Sequence, residues 1–117
     1  MTREEALVGH RRLWNEIADM IESGIKFHNH CDYKDEALKR IGEKQVLENE
    51  CYLCEYSTGC KKPCILGRSC LVAWSGLWCT DKTSEYRLFW LAIRGHDYPA
   101  AARMARKIAN LPERVSE

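Results

Sequence analysis

Nowhere does the sequence approach the ~18 consecutive apolar residues that a membrane-spanning helix needs, and its opening, MTREEALVGH, carries acidic residues where a signal peptide would be apolar. The protein is therefore expected in the cytoplasm, with no membrane partner. Charge of one sign is also missing. Eighteen Lys and Arg face 17 Asp and Glu, for a net charge of +1, which excludes a polybasic nucleic-acid arm and leaves no long-range field to steer a charged partner. The short catalytic signatures are absent as well: there is no G-x-G-x-x-G, P-loop, G-x-S-x-G or H-E-x-x-H, and no histidine stands at a recognisable catalytic spacing from an acidic residue. Enzymatic activity is not expected. With 117 residues, 45% hydrophobic and 30% charged, the chain has the size and composition of one ordinary globular domain.

What the sequence does have is a concentration of cysteine. The stretch from Cys51 to Cys79, CYLCEYSTGCKKPCILGRSCLVAWSGLWC, holds every cysteine of the chain except Cys31. In a reducing cytosol such thiols stay free or bind metal rather than pair as disulfides. Cys51-Tyr52-Leu53-Cys54 is the strongest local signal, because two intervening residues make a tight knuckle in which both sulfurs can face one ion. The second half of the site is contested among Cys60, Cys64 and Cys70, of which two would complete a tetrahedral set. Cys64 is the preferred third ligand, and Cys70 can replace Cys60 if Gly67 lets the chain fold back. Four thiolates would close the coordination sphere, so one structural Zn2+ per chain is expected, although iron–sulfur clusters favour the same donors. Cys79, between Trp78 and Thr80, reads as a buried free thiol. A redox C-x-x-C would open a helix after a strand, and nothing before Cys51 reads as that strand. His28, His30 and Cys31 have ligand chemistry too, but near-adjacent residues rarely supply three ligands to one tetrahedral ion. They read as a polar turn from which one side chain could still complete the main site.

Helical patterns surround this stretch. Thr2 and Glu5 form a capping box for a helix running to Ser23, with Leu7, His10, Leu13, Trp14, Ile17, Ala18 and Ile21 on its apolar face and Gly24 past its end. His10 on that stripe is expected to be a hydrogen-bonded core histidine, not a ligand. Asp32 is a candidate N-cap for a second helix to Ile41, with Ala37, Leu38 and Ile41 on one side and Gly42 as terminator. Thr83 or Ser84 can cap a third helix, with Tyr86, Phe89, Trp90 and Ile93 on its apolar face until Gly95. A fourth begins with Pro99 at its first position and carries the slim stripe Ala101, Met104, Ala105, Ile108 and Ala109 until Pro112. The fold class is mainly α: a single domain of about four helices, with N-terminal helices in 1–50, an irregular zinc-stapled lobe in 51–80 and a C-terminal helical hairpin in 81–112.

Two surfaces have binding chemistry. Lys61, Lys62 and Arg68 lie among aromatics in a stretch without acidic residues from Tyr56 to Thr80, and Arg103, Arg106 and Lys107 lie on the outer face of the last helix. They read first as solvated faces, with the aromatics buried, and otherwise as a surface for phosphate, bases or a protein partner.

The order Leu13-Trp14, Cys51-Tyr52-Leu53-Cys54-Glu55-Tyr56, Cys60, Cys64-Ile65-Leu66, Cys70-Leu71, Trp90-Leu91-Ala92 and Ile108-Ala109-Asn110-Leu111-Pro112 resembles small cysteine-rich proteins encoded by bacteriophages and mobile elements of Gram-positive bacteria. That group commonly has a second C-x-x-C followed by proline, whereas here the gap is one residue longer and Pro63 precedes Cys64. Small phage proteins of this appearance include zinc-binding anti-CRISPR proteins. The resemblance implies an inhibitor that acts in the host cytoplasm by binding a host protein, a Cas9-type nuclease. A nucleic-acid-binding zinc module is the alternative.

Overall fold

A computed structural model describes residues 2–42 and 82–112; the expectations for the zinc lobe fall outside them. The described chain forms four α-helices: α1 (Arg3–Glu22), α2 (His30–Arg40), α3 (Glu85–Arg94) and α4 (Tyr98–Ala109), and no strand occurs among these residues.

The ends of α1 follow from local chemistry. The Glu5 N–H donates to Thr2 Oγ1 and the Thr2 N–H donates to Glu5 Oε1, each at 3.1 Å, so two donors with no intrahelical partner are satisfied reciprocally. This bonding to the ionised carboxylate holds the Glu5 pKa below its ordinary value. At the other end Gly24 takes φ +99°, its N–H donates to Ile21 O, and the Ile25 N–H reaches back to Met20 O, both at 3.0 Å. That is the Schellman arrangement, which a residue with a β-carbon would strain.

The second helix starts three residues earlier than a cap at Asp32 would place it. Asn29 is its N-cap, with Oδ1 accepting from the Cys31 N–H at 2.9 Å, and Asp32 falls in the first turn, where its charge favours the helix N-terminus. Gly42, at φ +76°, ends the helix as expected. Ser84 is the N-cap residue of α3 and Gly95 its C-cap. In α4 the cap is Asp97, whose Oδ1 accepts from the Ala100 N–H at 3.2 Å, so Pro99 occupies the second helical position instead of the first. The shift is harmless, since the first four N–H groups of a helix lack intrahelical partners anyway.

The predicted stripes form the core. Leu7, His10, Leu13, Trp14, Ile17, Ala18 and Ile21 of α1 are all buried, joined by Ala6 and Met20. Ala101, Ala105, Ile108 and Ala109 of α4 are buried against them, with Met104 partly covered. Alanine at the contact lets the two helix backbones approach closely. They run antiparallel, since His10 meets Ile108 while Arg106 reaches Asn15, Asp19 and Glu22 further along α1. Trp14 joins this pair to α3, with its ring edge-on to Tyr86 at 5.7 Å and to Phe89 at 5.1 Å between centroids. The short turn 95–97 makes α3 and α4 the expected hairpin.

Tyr33 of α2 lay outside the predicted stripe, yet it is fully buried. Its hydroxyl donates to Ile25 O at 2.7 Å and accepts from the Phe27 N–H at 3.0 Å, while burial pushes the phenol pKa up. Tyr98 Oη donates to Phe27 O at 3.1 Å. Two phenols from different helices thus satisfy the backbone of the connector between α1 and α2, which has no secondary structure of its own to do so.

Candidate functional site

Cys51, Cys54, Cys60, Cys64 and Cys70, together with Lys61, Lys62 and Arg68, lie in residues 43–81, outside the described part of the chain. What can be described is the frame from which that segment departs and to which it returns. It leaves after Gly42, the residue past the Ile41 C-cap of α2, and rejoins ahead of Ser84, the N-cap residue of α3. α2 and α3 pack on one another, and their contact is made of rings and cations.

At that contact the His30 ring lies 4.9 Å from Trp90 and 5.9 Å from Tyr86. Lys34 Nζ stands 4.5 Å over the Tyr86 ring and the Arg87 guanidinium 4.9 Å over Trp90. Cation–ring contacts of this kind strengthen as water is excluded, from about 0.5–1 kcal/mol at exposed sites to roughly 2 or more when desolvated. Lys34 is in the desolvated class, being 5% exposed. Outward from these rings α3 presents Leu88 and Leu91, 41% and 49% exposed, beside exposed Arg94 and half-buried Arg87. With Val8 of α1, Leu88 and Leu91 are the exposed large hydrophobics among the described residues. Sequence patterning had assigned α3 one apolar face, Tyr86, Phe89, Trp90 and Ile93; Leu88 and Leu91 fall off that stripe, which was the available signal for a second one.

The basic residues expected on the outer face of α4 separate into two kinds. Arg103 and Lys107 are exposed. Arg106 instead spans the seam to α1: Nη1 donates to Asn15 Oδ1 at 3.0 Å, Nε donates to Glu22 Oε1 at 3.2 Å, and Nη2 pairs with Asp19. A guanidinium with its fork filled by two carboxylates and an amide has little left to offer a phosphate. Two exposed cations therefore remain of the three.

His10 is the core histidine that its stripe position implied. It is 2% exposed, and Nε2 lies 2.9 Å from Ile108 O. A carbonyl only accepts, so this nitrogen carries the proton. Burial lowers the His10 pKa to about 4, opposed by that hydrogen bond and reinforced by the charges of Arg11 and Lys34.

Of the three residues expected in a polar turn, only His28 lies in the connector; His30 and Cys31 are instead the first two residues of α2, half-buried, with the His30 ring against Tyr86 and Trp90. The Cys31 thiol is free and half-buried, with Sγ 3.6 Å from His30 Nε2. His28 faces a histidine from another connector, His96, with ring centroids 5.2 Å apart. Among the described residues no group of three or more His, Cys, Asp or Glu is arranged to hold a metal ion. Nor, among them, is any helix long and apolar enough to cross a membrane.

Comparison of the chain with protein families, with curated proteins and with solved structures finds no match.

Proposed function

We propose that this chain is a zinc-stapled helical interaction protein of phage type that inhibits a Cas9-type host nuclease by occupying its surface. The observation that carries the reading is the insertion of a cysteine-dense segment, opening on Cys51-x-x-Cys54, between two glycine- and serine-capped helices of a well-packed frame. The donor set fits zinc, because thiolates at C-x-x-C spacing favour a closed tetrahedral ion. Cys51, Cys54 and Cys64, with Cys60 or Cys70, would hold it, and the bound ion would supply cross-linking rather than reaction chemistry. The frame contributes the surface: Leu88, Leu91 and Arg94 on α3, backed by the ring cluster of His30, Tyr86 and Trp90. The Cas9-type target comes from the resemblance of the cysteine cluster and its flanking motifs to phage-encoded anti-CRISPR proteins.

Cleavage by a panel of Cas9-type nucleases with and without the full chain, together with co-elution, tests the reading. Inhibition with a stable complex is expected; unchanged cleavage and no co-elution across the panel refute it. Metal analysis of freshly purified protein is expected to give one zinc per chain and a colourless sample, whereas brown colour with iron would replace the zinc staple by a cluster. The nucleic-acid alternative is weakened by the engagement of Arg106 with α1. Five phosphate contacts would give a log–log salt slope near −4, and binding that steep would revive it.

A further inference from the structure

We propose that His28 and His96 form a second divalent-metal site, of the zinc type, separate from the cysteine segment. His28 lies in the connector between α1 and α2, and His96 lies in the turn between α3 and α4. Both are exposed, and their ring centroids are 5.2 Å apart at an interplanar angle of 83°. With metal–nitrogen bonds of about 2.0–2.1 Å and roughly 1.2 Å from nitrogen to ring centre, two imidazoles on one tetrahedral ion have centres about 5.2 Å apart. The observed separation of the ring centres matches that spacing.

The orientation of His96 is also built. Its backbone adopts φ +57°, left-handed and uncommon for a residue with a side chain, though tolerated by histidine. Its Nδ1 lies 3.4 Å from Tyr98 Oη. The Tyr98 hydroxyl spends its single proton on Phe27 O, so toward His96 it can only accept, and Nδ1 must carry the hydrogen. That leaves the lone pair on Nε2, the tautomer that a metal ligand needs, fixed by an outer hydrogen bond as ligating histidines commonly are. The same hydroxyl ties the turn bearing His96 to the connector bearing His28. With two protein ligands, water would complete the sphere, and the ion would be exchangeable.

The test is a titration of the full chain with Zn2+, followed by imidazole 15N shifts. The cysteines report their own uptake through their Cβ shifts, so failure of the zinc staple and failure of this site are read separately. The expected result is that the His28 and His96 rings respond together with one dissociation constant, while buried His10 stays unchanged. His96→Asn keeps a residue that tolerates positive φ, and should weaken the response of His28 on the order of 100-fold, the lower end of the gain from a second tethered ligand. Tyr98→Phe should weaken both by roughly tenfold through loss of the outer hydrogen bond. Independent titration of the two rings, no response at either, or an unchanged His28 response in His96→Asn would overturn the site and leave the pair as a ring contact only.

Discussion

The seam between α1 and α4 and the contact between α2 and α3 solve the same packing problem with opposite materials. The first is lined by Ala18, Ala101 and Ala105 and closed by polar locks, His10 on Ile108 and Arg106 on Asn15, Asp19 and Glu22. The second sets Lys34 against the ring of Tyr86 and His30 against Tyr86 and Trp90, and the outer edge of α3 is exposed at Leu88 and Leu91. Small residues allow one closely packed arrangement, so the first contact specifies and stabilises the fold. In the second, Tyr86 and Lys34 are buried while His30 and Trp90 are half-buried, and under the proposed function the exposed edge of α3 beyond them is the binding surface. Stability and binding should therefore respond to mutation in different places.

The largest loss is expected where the two contacts meet. Trp14→Ala removes the ring that packs on both Tyr86 and Phe89, and should cost about 3–5 kcal/mol by thermal or denaturant unfolding. A loss below about 1 kcal/mol would mean that the seam and the aromatic contact are not joined through Trp14.

Acid should open the seam next. The folded pKa of His10 is about 4, below the ordinary 6.5. The unfolded chain therefore binds the extra proton first, and the contribution is complete above pH 6.5 and lost as pH falls from there toward 4. Over that window the single group accounts for up to about 3 kcal/mol. Unfolding measured across pH 4–7 should show the slope, and His10→Leu should flatten it whatever its effect on stability at pH 7. An unaltered slope in that variant would assign the acid sensitivity elsewhere.

Caps come after that. Asn29→Ala is expected to cost about 1 kcal/mol through α2, the ordinary value for a lost N-cap bond, whereas Asp32→Ala should cost less because Asp32 does not make the cap. Equal losses would return the helix start to Asp32.

Smallest in stability, and most telling for the comparison, is the outer edge of α3. Leu88→Asp with Leu91→Asp should alter stability by no more than roughly 0.5 kcal/mol for each exposed site. The same pair should abolish co-elution with a target nuclease. Retained binding would move the interaction surface off this helix.

Sequence pattern carried the helices well because each burial stripe repeats over several turns and its ends have distinct cap chemistry. Thr2 with Glu5, Gly24 and Gly42 were all legible, and so was His10, since a histidine among Leu7, Trp14 and Ile17 must be buried with its proton satisfied. Asn29 and Asp32 are equally good caps by side chain alone, so local sequence did not choose between them. Arg106 looked solvated because its partners Asn15, Asp19 and Glu22 lie on a helix more than eighty residues earlier; their spacing of four and three marks a polar stripe but not what faces it. Of the proposed site, the cysteine ligands lie outside the described residues, while the exposure of Leu88 and Leu91 was legible in their positions off the stripe of Tyr86, Phe89, Trp90 and Ile93.

The bond between His10 and Ile108 joins residues 98 apart in sequence. Since α1 and α4 are the first and last helices of the described frame, their seam brings together chain segments with everything else threaded between them. Contacts of such long range must overcome loop-closure entropy before they return any energy, and proteins that depend on them fold slowly. The α3–α4 hairpin, by contrast, can form from neighbours. The seam should thus be a late event in folding, so that a substitution such as Ala105→Leu would act mainly by quickening unfolding, leaving the refolding rate close to that of the parent chain.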